Sequence, residues 1–210
     1  GQADPLEGYN RAMFSFNDKA DRWVLKPVAK GYRYVTPDFF ERGVSRMFSN
    51  LGEVLNVVND LLQGKVGQAG NDGGRLLINS TIGIAGFFDV AKHAGLEKSA
   101  GEDFGQTFGA WGVGEGAYVV LPFWGPSTLR DAPSLLLDSV FNPIGEVDHV
   151  PTRNQLYGAN VVSVRADLLE AEKLIKGDRY AFIRDVYLQR RQFLVNDGEV
   201  EDDFGDDDYN

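Results

Sequence analysis

The sequence has no cysteine, only two histidines, and no apolar run long enough to cross a bilayer as a helix. Without cysteine, disulfides and thiolate zinc sites are excluded. His93 and His149 stand outside any H-E-x-x-H pair or ligand cluster, so no histidine metal site is expected. There is no G-x-S-x-G elbow, no Gly-Lys-Ser/Thr phosphate loop and no serine recognisably spaced from a histidine. Gly112-Val-Gly114-Glu-Gly116 lacks the third glycine of a dinucleotide loop. Acidic pairs such as Glu102–Asp103 or Asp131–Asp138 are too common to indicate glycoside chemistry without a cleft. No enzyme activity, cofactor or metal is predicted. Arg130–Asp131 reads instead as a structural pair at the base of a hairpin.

Basic stretches are missing too. The net charge is -10, but eight of the acids follow Arg191, which leaves 23 acids against 21 bases in the body. With no basic stripe, nucleic acid is not an expected partner. Residues 197–210 read as an acidic, disordered tail, either merely solvated or a tether for a basic soluble partner. Residues 1–196 read as one domain, long enough to bury a core without staples.

What the chain does have is two short uncharged segments. Leu76 to Phe88 is bracketed by Arg75 and Asp89, and no charge falls between Glu115 and Arg130. The second is a greasy, glycine-hinged hairpin built on Gly112, Gly114, Gly116 and Gly125. A surface loop is normally polar, so such a hairpin needs a hydrophobic neighbour. Spanning a bilayer takes about 20 apolar residues. Two readings stay open: core elements of a soluble domain, or segments that dip partway into lipid.

The rest reads as helix. Asp4-Pro5-Leu6-Glu7 has the form of a capped start, and Leu6, Tyr9, Met13, Phe16, Ala20 and Trp23 make one apolar face up to a stop or bend at Pro27. Thr36-Pro37 opens a long helix running to Gly64. Ser127–Val140 suggests a helix broken at Pro133. Thr152-Arg153-Asn154-Gln155 has capping-box form, for a helix running to about Lys176, and Asp178 caps the last. Strand signal is confined to Tyr118–Leu121. The fold class is mainly α.

Ordered blocks along the chain resemble a known family. They include Asp4-Pro-Leu-Glu-Gly-Tyr-Asn10-Arg, Leu61-Leu-Gln-Gly64, Arg75-Leu-Leu-Ile-Asn79, Gly83-x-x-Gly86-x-x-Asp89, Phe104-Gly-Gln-Thr107, Leu121-Pro-Phe123, Leu129-Arg-Asp131 and Tyr187-x-Gln-Arg190. From about Asp4 to Asn196 the chain is similar to the MlaA (VacJ) lipoproteins. The lipid-bearing cysteine of that family is not in this sequence, and trimming upstream of Gly1 is the expected reason.

The resemblance implies a ring-like helical protein embedded in the periplasmic leaflet of the bacterial outer membrane. It implies association with a trimeric outer-membrane porin and with phospholipid as cargo. Misplaced phospholipids would leave the outer leaflet through an amphipathic channel for a soluble periplasmic carrier, MlaC, with no bond cleaved. On that reading Arg153, Asn154 and Tyr157 line the channel. The hairpin, with Gly112, Gly114, Gly116, Tyr118, Leu121, Phe123, Trp124 and Arg130, is a gate. Phe16 and Asn17 restrain the channel, while Trp23, Phe48, Phe87 and Phe88 form a membrane belt. The rival reading is a soluble periplasmic scaffold that holds a partner helix in an apolar groove. A lipid hydrolase is the third.

Overall fold

Helix α1 (Glu7–Ala20) runs through a single π-helical turn, Asp21–Leu25, straight into α2 (Lys26–Val35), in a computed structural model that describes residues 4–199. Pro27 therefore neither ends nor sharply breaks the helix. It sits in the first turn of α2, and the wider turn just before it, closed by Lys26 N–H on the Asp21 carbonyl, relieves the clash a proline ring makes one turn back. Asp4 does not cap α1, whose N-cap position is Leu6 with no side-chain bond. Its carboxylate instead accepts from Asn10 Nδ2 at 3.0 Å and from the Tyr180 hydroxyl, tying the start of the chain to its last helix.

Helix α3 (Asp38–Leu62) begins after Thr36-Pro37, as expected, and packs along α4 (Val66–Thr81). The uncharged segment completes α4 and then turns through residues 82–88. Gly83 makes that turn possible, because a Cβ there would lie 2.4 Å from the Phe88 carbonyl and 2.5 Å from that of Asn79. A short α5 (Phe104–Ala110), not foreseen, starts at Asp103, whose side chain caps Gln106 N–H.

Strands β1 (Tyr118–Leu121) and β2 (Gly125–Thr128) pair antiparallel, Tyr118 opposite Thr128 and Leu121 opposite Gly125. Ser127 and Thr128 thus belong to a strand, and α6 (Asp131–Val140) begins later than expected and is unbroken. Pro133 falls in its first turn, where a missing N–H has no partner to lose. Helix α7 (Val150–Asp167) starts at His149, whose ring accepts from Thr152 N–H in place of the expected capping box, and it ends well before Lys176. Asp178 does cap α8 (Arg179–Val195), accepting from Tyr180 and Ala181 N–H.

Packing closes on itself. Helix α1 meets β1, β2 meets α8, α8 meets α5, α5 meets α3, α3 meets α7 and α7 meets α2, which leads back to α1. The chain is a ring of helices with one hairpin in its wall.

Its polarity is inverted. Among the described residues, eighteen buried side chains are polar or charged and eleven apolar, while thirty-four large hydrophobics are exposed. On α1 the apolar stripe faces out: Leu6, Tyr9, Phe16 and, on the π turn, Trp23 are exposed, and Asn10 is the buried residue. Along α3 the buried side is Gly43, Asn50, Glu53, Asn59 and Asp60, not the Phe40–Leu62 stripe. Buried polar groups are tolerated when hydrogen-bonded, and here they are linked: Thr107 Oγ1 donates to Asn59 at 2.7 Å and receives Gln63 Nε2 at 2.9 Å. No helix among the described residues is long and apolar enough to cross a membrane. The expected tail lies outside the described residues from 200 onward; before that, Asp197 pairs with Lys65 and Gly198 N–H closes on the Phe193 carbonyl.

Candidate functional site: a groove at the hairpin tip

The root of the hairpin is a buried charge network. Asp131 accepts from Arg130 Nε, Arg191 Nε and the Tyr187 hydroxyl at 2.8, 2.8 and 3.0 Å. Arg191 also holds Asp103 with both terminal nitrogens. Although burial opposes it, the hydrogen bonds and charge of Arg191 keep the Asp103 carboxyl below its ordinary pKa. Burial pushes Asp138 up to about 6, against the Phe104 N–H it accepts. Tyr118 and Val120 are buried against Tyr180 and Leu188. Tyr118 and Arg130, expected as parts of a moving gate, are thus anchors, and the Arg130–Asp131 pair is the structural one anticipated.

Grip passes from root to tip through α1. Asn10 donates to the Tyr118 carbonyl at 3.0 Å and accepts Val120 N–H at 2.8 Å. Asn17 donates to the Leu121 carbonyl at 2.9 Å and accepts Phe123 N–H at 2.7 Å. Phe123 has a φ of 63°, a left-handed value that costs a non-glycine residue free energy, and its ring meets Phe16 edge-on at 5.3 Å. Beyond these contacts the tip is bare: Phe123 and Trp124 are 73% and 75% exposed.

Below the tip lies a groove of about 710 Å³, lined by Asn17, Asp21, Val24, Leu25, Phe123, Trp124 and Val161. It is apolar apart from Asn17 and from Asp21, which receives Arg165 in a two-pronged pair at 2.7 and 3.0 Å. Its lining comes from α1, the π turn, the hairpin and α7, elements that follow one another along one arc of the ring. Larger than a side chain and roughly the size of small-molecule sites, it accepts a long apolar group beside a polar one.

Arg153, Asn154 and Tyr157 are not among the groove's lining. Arg153 turns to the Val147 carbonyl at 3.4 Å, Asn154 is exposed on the first turns of α7, and Tyr157 sets its hydroxyl against Gly145. Val161, one turn beyond Tyr157, is the α7 residue that reaches the groove. The exposed series Tyr157, Val161, Val164, Leu168 keeps helical spacing along that face, a pattern legible in the sequence but not singled out. Of the expected belt, Trp23 and Phe88 are exposed; Phe48 and Phe87 are half-buried, Phe87 because it packs on Gly43. Gly112 and Gly116 take left-handed φ values of 92° and 70°, and a Cβ on Gly116 would press on Leu129 at 3.0 Å. Asn10, Asp21 and Val161 went unrecognised in the sequence. The signal for Asn10 was there: an asparagine inside a helix, seven residues from another.

A helical ring with a polar interior, an apolar exterior and an amphipathic groove defines a class of protein built to meet lipid-like ligands. The chain belongs to the MlaA lipoprotein family, whose profile matches residues 2–194. It is 37% identical over 205 residues to the intermembrane phospholipid transport system lipoprotein MlaA of Escherichia coli, covering 95% of this chain and 81% of that protein. The Haemophilus influenzae protein of the same name is 34% identical over 204 residues, 94% of this chain and 81% of the relative. A solved structure, reported as the structural basis for maintenance of bacterial outer membrane lipid asymmetry, aligns with a TM-score of 0.80 at 34% identity. That alignment spans 93% of this chain and all of the other.

Proposed function

We propose that the protein removes misplaced phospholipids from the outer leaflet of the outer membrane and passes them, uncleaved, to a soluble periplasmic carrier of the MlaC kind. The observation that carries this reading is the groove at the hairpin tip, apolar along Val24, Leu25, Trp124 and Val161 and polar at Asn17 and Asp21. A phospholipid needs both surfaces, since moving its headgroup through hydrocarbon costs several kcal/mol per unsatisfied polar group. The roles printed for the relatives, in phospholipid transport, support the same conclusion.

In this reading the outward aromatics, Trp23 and Phe88 among them, sit in the acyl region of the periplasmic leaflet. Polar backbone at that depth is tolerated only where protein or a water-filled cavity covers it, which suits a ring. The gate is the tip, Pro122 to Gly125, and Asn17 with Phe16 is its latch. The channel wall runs along α7 from Tyr157 to Val164 and on to Leu168 just past its end, with Arg153 and Asn154 at its mouth. A trimeric porin beside the ring is the expected membrane neighbour. A soluble scaffold with the same groove would leave thirty-four large hydrophobics of the described residues in water.

The chain's lack of cysteine allows a direct test. Cysteines replacing Trp124 and Val161, joined by a short bifunctional thiol reagent, close the groove. Phospholipid transfer from vesicles to a carrier should stop on crosslinking and return on reduction of a cleavable linker. Transfer that continues undiminished through the locked form rules the groove out as the route.

A further inference from the structure

A second recess, between α3, α4 and the segment 86–98, has no part in that route. Its lining brings together Arg46, Asn50 and Glu53 from α3, Arg75 and Asn79 from α4, and Lys98. At about 40 Å³ it holds two or three water-sized atoms, so the oxygens of a tetrahedral anion enter but a sugar, a base or an acyl chain does not.

Two buried atoms beside this recess make no hydrogen bond, an acceptor on Asn50 and a donor on Arg75. Asn50 is 6% exposed, and the atom is its Oδ1. Arg75 is 4% exposed; it donates through Nη1 to the Leu96 carbonyl at 2.7 Å and through Nη2 to Asp89 at 3.1 Å. Its Nε ion-pairs with Glu53 Oε1 at 3.5 Å but makes no hydrogen bond. A buried guanidinium N–H left open costs free energy until something accepts from it. At the mouth stand Arg46 and Lys98, both exposed and, among the described residues, in no ion pair. Arg75 and Asp89 offset one another, so Arg46 and Lys98 outweigh Glu53 and the recess is net positive. Burial also pushes the Glu53 carboxyl up, which weakens its opposition to an anion.

The wall beside this positive mouth is apolar. Gly86 lines the recess and is followed by Phe87, whose ring lies against Gly43, one helical turn before Arg46. Phe87 meets Phe40 at 5.7 Å and the exposed Phe88 at 5.0 Å. Cations over an open N–H, with an aromatic wall alongside, match a phosphate ester that carries acyl chains.

We propose that this recess binds the phosphate of a phospholipid lying against the outside of the ring, a resident lipid separate from the transported one. A phosphate oxygen accepts from Arg75 Nε, Arg46 and Lys98 balance the charge, and the chains run along Phe40, Phe87 and Phe88. The site sets the depth at which this face sits, and it rests on the reading that the face carrying Phe88 meets lipid.

The test uses the full chain in detergent, with the crosslinked Trp124→Cys/Val161→Cys pair closing the hairpin groove so that retained lipid reports the recess. Native mass spectrometry follows titration with short-chain phosphatidylglycerol and, separately, with inorganic phosphate. One phospholipid should be retained per chain, and an added Arg46→Ala/Lys98→Ala pair should weaken it at least tenfold; both side chains are exposed, and circular dichroism checks the fold. Inorganic phosphate alone should bind far more weakly, because it gains nothing from the aromatic wall. Lipid retention unchanged in the double variant overturns the proposal. Inorganic phosphate binding as tightly as the lipid overturns the lipid assignment and marks a free-anion site. Transfer through the hairpin groove is read separately in Arg46→Ala/Lys98→Ala with Trp124 and Val161 intact, so either reading fails without the other.

Discussion

Asn10 and Asn17, two helical turns apart on α1, each grip one stretch of the hairpin with a donor and an acceptor from the same amide. A side-chain amide carries the same pair of groups as a peptide bond, so Asn10 stands in for a missing strand on the free edge of β1 and Asn17 closes the turn that follows it. The spacing fits. Seven helical residues rise about 10.5 Å, and the three residues separating the two gripped sites advance about 10 Å when extended. Root and tip are thus held by one rigid helix.

Asn10→Ala leaves the Tyr118 carbonyl and Val120 N–H buried without partners, at a cost of about 1–3 kcal/mol. It should lower the thermal midpoint in detergent clearly. Asn17→Ala should cost less, because its site is part-exposed, yet it should speed hydrogen exchange at the Phe123 amide. Unchanged exchange there would show that Asn17 is no latch.

Arg191 joins Asp103 to Asp131 in the buried network, at distances of 2.9 and 2.8 Å. Removing Arg191 leaves Asp103 without a cation and Asp131 with Arg130 alone, so Arg191→Met should cost about 3–5 kcal/mol. Arg191→Lys keeps the charge but loses the fork and should fall between the two. Denaturant midpoints of the three proteins give the order directly.

Asp60 and Asp72 are both fully buried and face each other, and neither oxygen of Asp60 meets another donor. Burial, and then the facing Asp72, push the Asp60 pKa up to about 8. A carboxyl with a folded-state pKa above its unfolded one favours folding while protonated. Its contribution is therefore complete below about pH 4 and declines steadily as pH rises towards 8. Asp60→Asn, which keeps a donor facing Asp72, should flatten that decline in a series of melting curves from pH 5 to 9. A slope that persists in the variant assigns the pH dependence elsewhere.

Gly83→Ala places a methyl 2.4 Å from the Phe88 carbonyl, and backbone does not yield as a side chain does. It should cost at least the 1–3 kcal/mol of an overpacked site. Gly52→Ala on α3 meets nothing within 4 Å and should stabilise by up to about 1 kcal/mol through helix propensity. Equal melting temperatures for the two would contradict the tight turn at 83.

The helices were largely legible because their apolar periodicity is strong, and so were Gly64 and Asp178 as stop and start. The direction of that periodicity was not legible. Leu6, Phe16 and Trp23 give the same pattern whether they face a core or a lipid tail, and only the burial of Asn10 decides. The bend at Pro27 was misjudged because a π turn one step earlier absorbs the ring. Arg153 was a plausible phosphate ligand by charge, but the Val147 carbonyl claims it. The groove draws Asn17, Trp124 and Val161 from far apart in the chain, and no local spacing announces such a meeting.

The inverted polarity described above also changes which positions forgive substitution. Where acyl tails replace water, packing greasy side chains together yields little net drive. Cohesion then rests on the directional bonds of residues such as Asn59, Thr107 and Asp131, whose isosteres lack the same donors and acceptors. Outward leucines and valines should exchange freely for one another, while the innermost sites admit almost no replacement of any kind.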